Sequence, residues 1–193
     1  MPDQAPTSDE LQQTVAAVAA ALSAGAAEYA LIGGLAASIR GSARTTWDVD
    51  LLVNVSQRKL APLLESLRRE PFDLDVTGAI RSWNQDHLLE FWRGPVRVDW
   101  IKATLPLFQR ILNRATPETI DGRKTQVADA EGMLVLKLIA MRPQDQQDIQ
   151  AILSANRGRL DLDWVRREWW AVIDENDPAK EHFERLVHEY YEG

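Results

Sequence analysis

The sequence predicts an α/β (α+β) protein, with a small mixed sheet flanked by helices and a C-terminal helical extension. Strand-like and helical patterns alternate over the first two-thirds of the 193 residues, whereas helical patterns alone occupy the last third. Hydrophobic residues make up 45% of the chain and charged residues 26%, which is ordinary for a protein that buries a core. We therefore expect a core over residues 1–127 and, packed on it, a helical region over residues 128–193.

The composition excludes several classes of function. The chain has no cysteine, so disulfides, zinc-thiolate sites and cysteine nucleophiles are ruled out. No apolar run is long enough to span a bilayer, and the N-terminal stretch has neither the basic region nor the apolar core of a signal peptide. A net charge of -7 disfavours binding to nucleic-acid backbones in general, although a local basic patch can still bind them. We expect a cytoplasmic protein with no membrane partner.

The chain opens with a helix that leads to a strand and a double glycine. Thr7 and Glu10 have the spacing of a capping box at the start of an alanine-rich helix. A short apolar strand over residues 29–32 then runs into Gly33 and Gly34, which precede a brief helix. Two glycines at such a turn let the backbone approach a phosphate, although a tight strand-to-helix turn needs glycine for steric reasons alone.

The next strand carries two carboxylates. In the segment 47–53, Asp48 and Asp50 alternate with apolar residues, so both carboxylates lie on one face of the predicted strand. Two like charges this close repel each other unless a cation lies between them, and oxygen-only ligands suit Mg2+ or Mn2+. Taken alone, the pattern favours a simpler interpretation, a solvent-exposed strand face with unrelated acids.

A third carboxylate changes that balance. Two further strands are predicted over residues 88–93 and 96–101, joined by a Gly-Pro turn. Asp99 lies in the second of them, again between apolar residues. Together with the upstream glycines, the sequence predicts a metal site formed by Asp48, Asp50 and Asp99.

The remaining patterns are mostly helical, and one of these helices contains an isolated charge. The predicted helices cover residues 105–114, 128–140, 144–153, 162–173 and 178–191. Lys137 is the only charge in an otherwise apolar helical stretch, so we expect it to be buried. A buried ammonium needs a partner, which is either a substrate phosphate or a carboxylate such as Asp145 or Asp148. Alternatively, its head reaches water.

These motifs resemble the signature of the nucleotidyltransferase superfamily related to DNA polymerase beta. In that signature Gly-Gly or Gly-Ser follows an apolar residue, and Asp-apolar-Asp-apolar comes after a gap of about ten residues. The run from Arg44 to Asp50 resembles a bacterial branch of minimal nucleotidyltransferases and AbiEii-like toxins. Segments around Lys137 and around Asp145 and Asp148 resemble the helical acid-lysine and arginine-aspartate motifs of that branch.

The resemblance implies a nucleotidyltransferase fold and a metal-dependent enzyme. Such an enzyme transfers a nucleoside monophosphate from a nucleoside triphosphate (NTP) to a hydroxyl on RNA, a protein or a small molecule, and it could belong to a toxin-antitoxin or abortive-infection system with a cognate partner. The implied metal ligands and catalytic residues are Asp48, Asp50 and Asp99, and the implied nucleotide-binding residues are Gly33, Gly34, Arg44, Thr45 and Lys137. Arg44 could equally order the loop before Asp48 or be solvated. The alternative function is a non-catalytic nucleotide-binding or antitoxin-like regulatory module.

Overall fold

The computed structural model describes residues 5–69 and 71–193. Residues 1–4, part of the stretch predicted not to be a signal peptide, lie outside the described residues. The helices are α1 (Ser8–Ala24), α2 (Gly33–Ile39), α3 (Gln57–Arg69), α4 (Val76–Gln85), α5 (Pro106–Arg114), α6 (Ala130–Ala140), α7 (Pro143–Ala155), α8 (Leu162–Trp170) and α9 (Ala179–Val187). The strands are β1 (Glu28–Leu31), β2 (Asp48–Asn54), β3 (Leu88–Arg93), β4 (Val96–Lys102), β5 (Thr116–Ile120) and β6 (Arg123–Val127).

The chain groups into two compact units. The first, here called the sheet unit, comprises Met1–Leu35 and Thr45–Val127, and the second, the helical unit, comprises Ala36–Arg44 and Ala128–Gly193. The fold class predicted from the sequence is confirmed. The predicted division between residues 1–127 and 128–193 stays a prediction, and in the structure the segment 36–44 groups with the C-terminal helices.

The sheet unit contains one mixed sheet of six strands in the order β3-β4-β2-β1-β6-β5. Strands β2 and β4, which carry the three predicted metal ligands, are parallel neighbours in its interior, and neither is an edge strand. Side chains alternate between the two faces of a strand, so the residues between the acids point the other way. Val49, Leu51, Val98 and Trp100 are all fully buried. Burial of one face therefore leaves the opposite face to the acids.

Aromatic residues pack beneath that buried face. The ring of Trp100 meets those of Phe91 and Trp83 edge-on, with centroids 5.4 Å and 6.5 Å apart. Phe72 adds a further edge-on contact to Phe91 at 5.5 Å. Such pairs add stability beyond the area they bury, and they hold β3 and β4 in register with each other.

The helical unit has its own apolar core. Helix α6 buries Met133, Leu134, Val135 and Leu138, and it packs against α7 and α8. Within the described residues, no helix has the length and apolar character needed to cross a membrane.

The structure departs from the sequence-based prediction mainly in the hairpin of β5 and β6, where helical patterns were expected to dominate. The two strands are joined by Asp121 and Gly122, whose φ angles are 47° and 69°. Positive φ at both central residues is the requirement of a two-residue hairpin turn, and Asp-Gly is a typical sequence for it. Helix α4 was also missed, whereas the capping box of Thr7 and Glu10 is confirmed.

Candidate metal and nucleotide site

Three carboxylates meet on the exposed face of the sheet. Asp48 and Asp50 lie two positions apart on β2, and Asp99 lies beside Asp50 on the parallel strand β4. One carboxylate oxygen from each of the three lies within 4.8 Å of the others. The sequence-predicted metal ligands are thus brought together, and we call them the carboxylate triad.

An arginine that the sequence analysis did not single out lies among these acids. Nη2 of Arg97 is 3.0 Å from Oδ2 of Asp48 and 2.9 Å from Oδ2 of Asp99. Its Nη1 is 3.7 Å from Oε2 of Glu90 on β3. The spacing could have revealed Arg97, because it precedes Asp99 by two positions on one strand and so shares its face.

Asp99 is the acid of the triad that Arg97 does not fully satisfy. Burial raises the pKa of the Asp99 carboxyl above its ordinary value, and repulsion by Glu90 and Asp48 adds to the rise that Arg97 opposes. Oδ1 of Asp99 is buried, and no described residue donates a hydrogen bond to it. A buried acceptor without a partner costs free energy, so this oxygen is a position where a cation would be favoured.

A buried hydroxyl orients the first acid of the triad. Oγ1 of Thr46 donates a hydrogen bond of 2.7 Å to Oδ1 of Asp48, whose other oxygen accepts one from Arg97. Both oxygens of Asp48 are therefore held before any ligand binds. Thr46 was not among the sequence-predicted site residues, because a threonine in a loop carries no distinctive pattern.

The double glycine lies next to the triad for a steric reason. Gly33 has a φ of 68°, and a Cβ atom there would overlap the carboxylate of Asp50. The backbone N–H of Ile32, just before it, donates a 2.9 Å hydrogen bond to the carbonyl of Asp50. A side chain at residue 33 would displace Asp50, so the position requires glycine whether or not a phosphate binds.

The triad fits a hard divalent cation. All of its donors are carboxylate oxygens, the chemistry that Mg2+ and Mn2+ prefer over nitrogen or sulfur ligands. One oxygen from each acid lies within 4.8 Å of the others, which is close enough for the three carboxylates to ligate the same ion.

A second charged cluster lies in the helical unit, around Lys137. Nζ of Lys137 is 2.8 Å from Oδ1 of Asp145 and 2.6 Å from Oδ2 of Asp148. The lysine side chain is only 3% exposed, so the alternative in which its head reaches water is wrong. The carboxylate alternative is the arrangement in the structure, and it uses both aspartates. Contact with a nucleotide phosphate stays a prediction.

Three more residues complete this buried ion cluster. Asp148 accepts hydrogen bonds from Oγ of Ser42 at 2.6 Å and from Nε of Arg44 at 3.0 Å, and Nε of Arg142 donates to Asp145 at 2.9 Å. Burial alone raises the pKa of the Asp145 carboxyl, but the hydrogen bonds from Lys137 and Arg142 outweigh it, and the net pKa is lowered. Arg44 thus binds an acid of its own unit. Its role at the nucleotide, and that of the exposed Thr45, stay predictions.

A sheet with three acids on adjacent parallel strands and glycine at the neighbouring turn defines a nucleotidyltransferase-like protein. The chain belongs to the family described as "Nucleotidyltransferase of unknown function (DUF6036)", whose model matches residues 10–192. No curated protein matches the sequence. The superfamily predicted from the sequence motifs is confirmed, whereas the narrower AbiEii-like branch stays a prediction.

Solved structures of nucleotidyltransferases share the fold. An antigenic nucleotidyltransferase-like protein from Paracoccidioides brasiliensis is 20% identical, with a TM-score of 0.61 over 95% of this chain and 89% of that one. The lincomycin-bound lincosamide antibiotic adenylyltransferase LnuA is 15% identical, with a TM-score of 0.54 over 79% of this chain and 99% of its own. ANT(2")-Ia in complex with adenylyl-2"-tobramycin is 15% identical, with a TM-score of 0.54 over 86% and 97%. At these identities the similarity concerns the fold.

Proposed function

We propose that the protein is a metal-dependent nucleotidyltransferase, which transfers a nucleoside monophosphate from an NTP to the hydroxyl of an acceptor. The observation that carries this proposal is the carboxylate triad, with one ligand oxygen from each acid within 4.8 Å and a buried, orphaned oxygen on Asp99. Acids that serve only stability are neutralised inside the protein, as Asp145 and Asp148 are. In the triad, by contrast, Oδ1 of Asp99 accepts no hydrogen bond from a described residue.

The residues divide the work of the reaction among them. Asp48, Asp50 and Asp99 would hold Mg2+ or Mn2+, which when bound would neutralise the triphosphate and lower the pKa of the acceptor hydroxyl. The acceptor oxygen forms a bond to the α-phosphorus as the bond to pyrophosphate breaks, and its proton passes to a base. Asp99 is suited to be that base, because its Oδ1 accepts no hydrogen bond from a described residue. The backbone at Gly33 and Gly34 would hold phosphate oxygens.

The nature of the acceptor and the cellular context are further parts of the proposal. LnuA and ANT(2")-Ia are described with small antibiotic molecules, lincomycin and adenylylated tobramycin, which supports a small-molecule acceptor. The sequence motifs allow RNA or a protein as the acceptor and a toxin or antitoxin as the partner. A cytoplasmic location remains our expectation.

Transfer of a labelled nucleotide tests the function. The protein is incubated with each labelled NTP, Mg2+ or Mn2+, and a cell extract separated into small-molecule and macromolecular fractions. We expect a labelled product and release of pyrophosphate, both abolished by chelation and by Asp50→Asn. The control is Asp174→Asn, which removes an exposed aspartate of the helical unit and should leave the labelling unchanged. The absence of metal-dependent pyrophosphate release with every NTP and fraction would contradict the proposal.

One observation favours the regulatory alternative. Arg97 already bridges Asp48 and Asp99, as an internal cation would in a module that binds nucleotides without catalysis. The two functions differ in one measurement. A regulatory module would bind nucleotide with equal affinity in the parent and in Asp50→Asn, whereas the enzyme should lose both metal-dependent nucleotide affinity and pyrophosphate release.

A further inference from the structure

A cavity of about 960 Å³ opens beside the carboxylate triad, within the sheet unit. The residues that matter here are Trp47, Asp48, Asp73, Glu90, Trp92 and Arg97. A smaller cavity of about 310 Å³ shares Asp73, Glu90 and Trp92 with it, so the two adjoin along these residues. Together they form what we call the acceptor groove. It is large enough for a ligand of several rings.

The register of the sheet explains why these side chains share one groove. Across β2, β4 and β3, Asp48 is paired with Arg97, and Arg97 with Trp92. An isolated bridge continues this row from Trp92 to Asp73. Paired residues on neighbouring strands project to the same face of a sheet. Strand pairing therefore brings Asp48, Arg97 and Trp92 together, whereas Trp47 joins them from the loop before β2.

The groove carries more negative than positive charge. Its described lining includes the carboxylates of Asp48, Asp73 and Glu90, and Arg97 is the one basic residue among them. Arg97 is already bound to Asp48 and Asp99. Within the described part of the chain, Asp73 takes part in no ion pair, and its carboxylate is exposed. The groove would thus repel an anion and attract a cation.

Two tryptophans allow the groove to recognise a ring as well as a charge. Trp47 is 51% exposed, and Trp92 is partly exposed on the edge strand β3. An indole face attracts an ammonium group more strongly than any other side-chain ring, and it also stacks on the apolar face of a sugar-like ring. Acids combined with exposed indoles favour a ligand that carries both ammonium groups and rings.

The position of the groove matches the acceptor side of the proposed reaction. In the sheet order, the triad strands β4 and β2 lie between β3 and β1. Gly33, where phosphates are proposed to bind, follows β1, whereas Glu90 and Trp92 lie on β3. Phosphoryl transfer needs the attacking and leaving oxygens roughly in line, on opposite sides of the phosphorus. A nucleotide whose pyrophosphate leaves towards β1 therefore receives its attack from the side of β3.

We propose that the acceptor is a small polyhydroxylated cation, with ring-borne ammonium groups that bind between the acids and the indoles of the acceptor groove. The inference rests on the proposed function and specifies its substrate class. One hydroxyl of the bound cation attacks the α-phosphorus, loses its proton to the carboxylate of Asp99, and receives the nucleoside monophosphate as pyrophosphate leaves. An RNA acceptor is the opposing outcome of the test, since its backbone would meet the same acids.

A matched pair of disaccharides tests the charge preference directly. Chitobiose carries two ammonium groups, and N,N′-diacetylchitobiose has the same hydroxyl groups and linkage without the charges. Calorimetric titration of the protein, without nucleotide, measures the affinity for each. We expect chitobiose to bind at least about tenfold more tightly, because each exposed ion pair or cation–π contact contributes up to about 1 kcal/mol. Its affinity should fall as salt is added.

Two single substitutions locate the binding. Asp73→Asn should weaken chitobiose binding about fivefold, the loss of one exposed ion pair. Asp174→Asn removes an aspartate of the same charge outside the groove and should leave the affinity unchanged. Melting temperatures of both variants verify that they fold, and the salt dependence of the parent protein gives a readout that needs no variant.

The outcomes separate this inference from the proposed function. Equal affinity for the two disaccharides, no binding of either at millimolar concentration, or triad-dependent labelling of RNA would overturn the cationic acceptor and leave the transferase in place. A preference for chitobiose that Asp73→Asn removes supports the inference. If that preference is found while no NTP is consumed with any acceptor, the groove keeps its assignment as a cation site and the proposed reaction is wrong.

Discussion

The molecule contains two clusters of aspartates, and they differ in how completely their carboxylate oxygens are hydrogen-bonded. In the buried ion cluster of the helical unit, each of the four oxygens of Asp145 and Asp148 accepts a hydrogen bond from a described residue. In the carboxylate triad, one arginine serves Asp48 and Asp99, and an oxygen of Asp99 is left buried without a donor. The first cluster is complete within the chain. The second needs a ligand.

The pKa values follow the same contrast. The pKa of the Asp145 carboxyl is lowered although it is fully buried, because Lys137 and Arg142 donate to it. The pKa of Asp99 is raised, because its burial is reinforced by other acids and only partly offset by Arg97. Saturation with donors marks a structural role, and unmet charge marks a binding role.

The largest expected effect is in the buried ion cluster. Lys137→Met keeps the length and apolar character of the side chain but leaves Asp145 and Asp148 without their shared ammonium. We expect the free energy of unfolding to fall by about 3–5 kcal/mol, the usual cost of breaking a buried pair, as measured by urea denaturation. Lys124→Met, at an exposed position on β6, is the control and should change little. Unchanged stability together with weakened nucleotide binding would instead place Lys137 at the nucleotide.

The triad should respond to metal where the other cluster does not. At a metal concentration about 100 times the dissociation constant, binding stabilises the folded state by about 2.7 kcal/mol, which appears as a rise in melting temperature. Asp50→Asn should remove most of that rise, and turnover should drop about 100-fold or more in Asp99→Asn with loss of the base. Asp174→Asn should retain the rise. If neither Mg2+ nor Mn2+ changes the melting temperature of the parent, with or without NTP, the result would argue against a metal site.

The charges of the two clusters should have opposite effects on the pH dependence of stability. The pKa of Asp99 is raised above 3.8 in the folded protein, so its charge destabilises the fold at neutral pH, and that cost disappears as the pH falls. The pKa of Asp145 is lowered below 3.8, so its stabilising effect is full above that value and is lost only as the pH falls through the folded-state pKa. Without metal, Asp99→Asn should be more stable than the parent at neutral pH, and Asp145→Asn less stable.

Denaturation in chelator, from neutral pH to about pH 3, measures both differences. The Asp99→Asn curve should meet that of the parent near the ordinary pKa of 3.8, and the Asp145→Asn curve only below it. A stability deficit of Asp99→Asn at neutral pH would mean that the ion pair with Arg97 outweighs the repulsion.

The smallest expected effect is at the rim of the buried ion cluster. The side chain of Arg142 is 60% exposed, and Asp145 keeps Lys137 and the backbone N–H of residue 142 as donors after Arg142→Ala. We expect a loss of about 0.5 kcal/mol, as is usual for exposed ion pairs. A loss as large as that of Lys137→Met would show that the guanidinium, rather than the ammonium, holds the cluster together.

The strands that carry the triad could be predicted from local sequence patterns. Features that depend on how distant segments pair could not. Strand β3 was predicted with the bounds that the structure has, and alternation of acids with apolar residues identified Asp48, Asp50 and Asp99. Alternation could not show that Arg97 would bridge two of them, because that depends on how β2 and β4 pair. In the hairpin of β5 and β6, Asp121-Gly122 carried a turn signal that the surrounding helical expectation obscured.

The buried ion cluster was predictable only in part. Lys137 and its two candidate aspartates are close in the sequence, so their pairing followed from the cost of burying an unpaired charge. Ser42 and Arg44 lie more than a hundred residues before Asp148, and nothing in their own neighbourhood indicates that partner. The residue types showed that a buried charge would need a partner. Which distant residues serve as partners depends on the fold.

The helical unit is formed by two segments that are distant in the sequence, and this has a consequence for synthesis of the protein on the ribosome. Arg44 precedes Asp148 by 104 residues, so at about 5–20 residues per second the ribosome needs about 5–20 seconds to make the second partner after the first. Lys137 and Asp145 are only eight residues apart and emerge almost together. The sheet strands between these segments are all synthesised within that interval. Asp148, which Ser42 and Arg44 bind, follows all of these strands in the chain, so the sheet leaves the ribosome first and the helical unit is completed last.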